Sequence, residues 1–122
     1  MTDDQSIIGA IVVFRRIQPQ YINLDINGVA VMSDGAFRTK ELSIFRSDRV
    51  TEADVLKGYP NDGLAAITIQ DIRDAGCIIV VDEPPAGHLI AYRSDNPGQR
   101  ISSTSATKMA RLARWVRPPK NP

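Results

Sequence analysis

The sequence holds one cysteine, one histidine and one tryptophan, and it has no long apolar run. Each scarcity excludes something. A single thiol, Cys77, cannot close an internal disulfide, and its place in the run CIIVV reads as a buried thiol in a reducing compartment. One histidine, one cysteine and scattered acids offer no metal-ligand spacing, so neither a metal nor a cofactor is expected. Gly28, Gly35, Gly58, Gly63 and Gly76 each suit a turn or a cap, and none belongs to a phosphate-cradling loop. The longest apolar stretch, IIGAIVVF at 7–14, is far short of the roughly 20 residues that a membrane helix needs. Asp3 and Asp4 precede it, Arg15 and Arg16 follow it, and no small-residue cleavage site appears, so it does not read as a signal peptide. The expectation is a soluble, cytoplasmic protein with no membrane contact.

What is present is ordinary globular composition, 43% hydrophobic and 24% charged in 122 residues. That suits one α+β domain spanning 1–122, with 1–6 and 118–122 frayed. The net charge of +1 hides an asymmetry. Residues 48–83 carry eight acids against three bases, whereas 101–122 carry five bases, Lys108, Arg111, Arg114, Arg117 and Lys120, and no acid. Such segregation suits an anionic partner, a fold-back of the tail onto the acidic middle, or pairing with another copy.

Strand signals run over 11–17, 41–45, 77–81 and 88–93. YINLD and VAVM flank Asn27-Gly28, the favoured pair for a tight hairpin turn. CIIVV reads as a central strand covered on both faces. Thr51 ahead of Glu52 and Asp54, and Thr68 ahead of Asp71, predict two short helices, ended by Gly58 and Gly76. A last helix starts near Ser103 or Thr104 and runs to the stop at Pro118-Pro119. The sum is a mostly antiparallel or mixed sheet of about five to six strands, with two to three helices on one face.

FRRIQP at 14–19, SDGAF at 33–37, LSIF at 42–45, GHLI at 87–90 and KMARLARWV at 108–116 resemble a family of small uncharacterised bacterial proteins. That family has an Arg-Arg-Ile strand, a serine-rich element, an "LS" strand, a histidine after a proline loop and a basic closing helix. Here Ser33-Asp34 stands where the family has two serines. The resemblance implies one compact bacterial domain and no catalytic assignment.

Helical spacing places Ala106, Met109, Ala110, Leu112, Ala113 and Val116 on one arc of the last helix, and Lys108, Arg111, Arg114 and Trp115 on the other. Three readings of Trp115 follow. The helix loosens and the indole packs within its own chain. The face anchors a protein partner or a second copy, because Trp and Arg concentrate binding energy. Or it grips nucleic acid, against which stand the near-neutral chain and the lack of any such motif. The favoured reading is a binding or accessory module, leaning away from an enzyme, that meets a protein partner or itself through Trp115, Arg111, Arg114 and Lys108. The alternative is a small enzyme or anion-binding domain. Its catalytic candidates are His88 oriented by Asp82, with Ser33 or Ser43 as nucleophile. Its anion-binding candidates are Arg15, Arg16 and Arg46, whose guanidinium forks suit phosphate or carboxylate.

Overall fold

A computed structural model describes residues 1–120. Eight strands run in chain order: β1 Val12–Ile17, β2 Ile22–Leu24, β3 Ala30–Met32, β4 Leu42–Arg46, β5 Gly63–Thr68, β6 Cys77–Val81, β7 His88–Arg93 and β8 Arg114–Arg117. Three α-helices join them: α1 Glu52–Leu56, α2 Ile69–Asp74 and α3 Ser103–Leu112. Six strands form one antiparallel sheet in the order β6-β7-β4-β1-β5-β8, and β2 and β3 form a separate hairpin. The α+β, largely antiparallel architecture is as the sequence pattern predicts.

Alternation divides the sheet into two faces. Leu42 and Ile44 of β4 point to one side and are fully buried, whereas Ser43 and Phe45 point to the other and are half-buried. The buried side packs against α2, α3 and the short turn Asp34–Phe37 through Ile69, Ile72, Ala106, Met109 and Phe37. The opposite side carries buried Leu64, Ala66 and Ile90 among half-buried residues, and α1 lays Val55 over one end. Thr51 and Asp54 complete a reciprocal capping box on α1, as their spacing suggests. No helix of the described residues is long and apolar enough to cross a membrane.

Four features depart from the sequence reading. First, GLAAIT forms β5, an interior strand, although its buried, alanine-rich run shows no alternation. Second, β6 lies at the edge of the sheet rather than at its centre, and the apolar run CIIVV alternates buried and half-buried positions up to Val81. The N-terminal segment covers that edge. The Asp4 N–H donates to the Ile79 carbonyl at 2.8 Å, and Asp3 accepts from the Ile79 N–H at 2.7 Å and pairs with Arg73. Asp3 and Asp4 are therefore docked on β6. At the other end, Pro119 packs on Gly63, where a Cβ would come within 2.6 Å of the proline, and Lys120 bonds to Asn61. Pro118, Pro119 and Lys120 are thus held too; residues 121–122 lie outside the described range.

Third, the hairpin turn is not a two-residue Asn-Gly turn. Only Gly28 has positive φ, at 76°, and Asp25 organises the loop by accepting from the N–H groups of Asn27 and Val29. Fourth, α3 stops at Leu112. Ala113 turns to extended backbone, ψ 147°, and the chain continues as β8 along the free edge of β5. The physical reason is the tryptophan. A continued helix would hold Trp115 among cations in water, whereas the two-residue period of a strand turns it against Ala65 and the core.

Burial alone pushes the Cys77 thiol up to about 11. The expected result is no reaction of the native protein with a disulfide-exchange reagent at pH 8, and one equivalent after unfolding. Ready reaction of the folded chain would contradict this packing.

Candidate functional site

The residues singled out in the sequence fall into three places. A concavity of about 580 Å³ lies between the β2–β3 hairpin, α3 and β8. Ala30, Val31 and Met32 form one wall, Ala110, Arg111 and Ala113 another, and Arg114 and Trp115 the third. Trp115 is therefore not a projecting anchor on a helix. Its indole N–H donates to the Ala30 carbonyl at 3.0 Å, tying β8 to the hairpin, and its ring packs on the core. Arg111 and Arg114 are exposed and Asp34 lines the same groove. Lys108 lines a neighbouring shallow depression with Arg111. Among the described residues none of these three cations makes an ion pair, whereas Arg117 of the same tail donates to the Pro60 and Asp62 carbonyls. The hairpin also exposes Leu24, Ile26, Val29 and Val31, with Ile26 at 100%.

The second place is on the sheet face opposite the helices α2 and α3. β4 and β7 pair with Phe45 opposite His88 and Ser43 opposite Ile90, which sets Ser43 diagonally beside the imidazole. Ser43 Oγ lies 2.6 Å from His88 Nε2. His88 Nδ1 lies 2.9 Å from the Asp82 carbonyl and 3.1 Å from its carboxylate. Two acceptors at Nδ1 keep the proton there, leaving Nε2 to accept from the serine hydroxyl. Phe45 packs on the ring at a centroid distance of 4.9 Å. The histidine side chain is 12% exposed and the Asp82 side chain 56%, so the imidazole is held by packing and the carboxylate is solvated. The structure joins Ser43, His88 and Asp82 and leaves Ser33 out. Ser33 caps the Asp34–Phe37 turn by accepting from the Gly35 N–H and lines the tryptophan groove.

The third place is a split in the sheet. β1 pairs with β4 through Val13 and Phe14 only. Beyond that, Arg15 fills the gap: its guanidinium donates to the Ser43 carbonyl at 3.2 Å and twice to the Ala36 carbonyl, at 3.3 and 3.0 Å. Arg15 is the inward arginine of the pair, and it faces no acid at bonding distance. Burial, with repulsion from Arg16 added, pulls its pKa down to about 10, which leaves it charged at neutral pH. Arg16 takes the opposite face, donating to the Val55 carbonyl and lying over the Tyr59 ring at 4.0 Å and the Phe45 ring at 5.6 Å. Arg46 does not join them. Its fork is held by Asp48, with both bonds at 2.9 Å. Thr39, Tyr21, Tyr59 and Asp62, which also line the split, carry no sequence signal, because nothing in their spacing brings them near Arg15.

No group of three or more histidine, cysteine or acidic residues among the described residues could hold a metal ion. No family model, curated protein or solved structure matches this chain, so each role rests on these geometries alone.

Proposed function

We propose that this domain is a binding module whose recognition surface is the groove between β3 and β8, and that its occupant is an extended acidic segment of a partner protein. The observation that carries the reading is the position of that groove. It lies between β3, paired only with β2, and β8, the last strand of the large sheet. An extended segment can add to such free backbone edges. Apolar side chains would rest on Val31, Ala110 and Trp115. Acidic ones would meet Arg111 and Arg114, which steer the encounter and set the polarity of the partner.

The sole tryptophan lines the groove and reports its occupancy. A peptide of alternating valine and glutamate, titrated at low salt, is expected to shift Trp115 emission in the wild type. The double charge reversal Arg111→Glu with Arg114→Glu is expected to weaken binding at least tenfold, and salt to weaken it in the wild type. An equal response to a lysine-containing peptide, or to the reversed variant, would sink the proposal. Light scattering on the same two proteins distinguishes a second copy as occupant, and an oligonucleotide of equal charge distinguishes nucleic acid.

A second reading rests on the 2.6 Å contact between Ser43 Oγ and His88 Nε2. In it, Ser43 attacks an acyl carbon, its proton passes to His88 Nε2, and the imidazolium returns that proton to the departing group. Water then attacks the acyl carbon, His88 taking its proton and passing it to Ser43 Oγ as the acyl–oxygen bond breaks. Asp82 positions the ring.

A further inference from the structure

We propose that the pocket in the split beside β1 binds a small oxyanion, the phosphate or carboxylate group of a ligand. The pocket holds about 310 Å³ and is lined by Arg15, Arg16, Thr39, Tyr21, Tyr59 and Asp62, with Gln18 at its side. Donors left without partners point to such a ligand. A guanidinium carries five N–H groups. Arg15 uses three of them on the carbonyl oxygens of Ala36 and Ser43, which leaves two. Arg16 uses one, on Val55, which leaves four. Neither pairs with a carboxylate among the described residues. Thr39 Oγ1, in the same wall, is the one buried side-chain oxygen or nitrogen among the described residues without a hydrogen-bond partner. A buried hydroxyl left unmade costs free energy, and Thr39 lines one space with the two arginines.

The chemistry of the wall selects the ligand. Two charged forks suit a planar or tetrahedral oxyanion, and the Thr39 hydroxyl adds a neutral donor. Both arginines are fixed before binding, Arg15 by three carbonyl bonds and Arg16 by the Tyr59 ring, so little side-chain freedom is lost. Asp62 offers an acceptor in the same pocket. It disfavours high negative charge and accepts from a hydroxyl or amine, so a singly charged group on a small polar molecule fits better than a bare polyanion. The volume is at the lower end of small-molecule sites and admits an anion with a few attached atoms.

Inorganic phosphate and acetate are the two probes, each titrated by calorimetry and by thermal unfolding, with sodium chloride at matched ionic strength as control. Because Arg15→Met also removes packing and bridging bonds, the deciding variants are Arg16→Gln and the isosteric Thr39→Val. Saturable binding of at least one probe is expected, raising Tm above the chloride control. Arg16→Gln is expected to weaken it at least tenfold, and Thr39→Val severalfold. Response to phosphate alone assigns a phosphate ligand, and to acetate alone a carboxylate. No response beyond chloride, or equal affinity in both folded variants, overturns the site.

Discussion

Trp115→Ala lowers the unfolding free energy by about 3 kcal/mol, the bottom of the range for truncating a large core aromatic. The low end applies because the side chain is half-buried and one edge lines the groove. Two losses combine. The indole leaves a gap between Ala65, Ala110 and the hairpin, and the Ala30 carbonyl loses its donor. The second loss contributes about 1 kcal/mol. In a domain of this size the sum corresponds to a fall in Tm of about 10 °C. Trp115→Phe separates the two, since it keeps apolar contact but not the N–H, and is expected to cost about half as much. Thermal unfolding followed by circular dichroism checks both. A Trp115→Ala protein with unchanged Tm would return the residue to the role of a surface anchor. The result also shows why Trp115→Ala is a poor probe of partner binding and the arginine reversals a better one: the tryptophan builds the groove, whereas Arg111 and Arg114 only line it.

Ser43→Ala abolishes labelling by a fluorophosphonate, a serine-directed reagent, if the Ser43–His88 pair is catalytic. The wild type is expected to be modified on the peptide that carries Ser43, and His88→Gln to react at least a hundredfold more slowly, since a positioned base contributes roughly 10²–10⁴. Asp82→Asn is expected to matter far less, within about tenfold. Nδ1 keeps the Asp82 backbone carbonyl at 2.9 Å, and the carboxylate it loses is more than half exposed. That ordering, serine and histidine large and aspartate small, follows from this geometry and differs from a buried triad. Absence of labelling in the wild type would leave the bond as a cross-strand tie between β4 and β7. Ser43→Ala would then cost only about 1 kcal/mol of stability.

How much of this was legible can be read from single elements. The short helices announced themselves through Thr51 with Asp54 and Thr68 with Asp71, because a cap is made between residues three apart. The faces of β4 were legible because alternation is local. The place of β5 was not, since Gly63–Thr68 is buried on both sides and a continuous apolar run has no period to read. CIIVV misled in the opposite sense: its apolar character suggested a central strand, but the covering of its edge by Asp3 and Asp4 comes from the far end of the chain. The asymmetry of charge was visible, but that Lys108, Arg111 and Arg114 stay unpaired depends on where the acids of 48–83 come to lie.

Local pattern was enough for the class of object: a single α+β domain, its capped short helices, a buried thiol, and the residue types from which any site must be drawn. Tertiary structure alone decided which of them meet. It set Ser43 beside His88 through the β4–β7 register while spending Ser33 on a cap, and it turned Trp115 inward by exchanging the last helical turn for a strand. It also left Arg15 in a split beside an unpartnered Thr39 while giving Arg46 to Asp48. The physical reason is common to all of these. Caps and periodicity depend on neighbours a few residues apart, whereas strand partners and buried polar contacts are chosen by which surfaces the whole chain must remove from water.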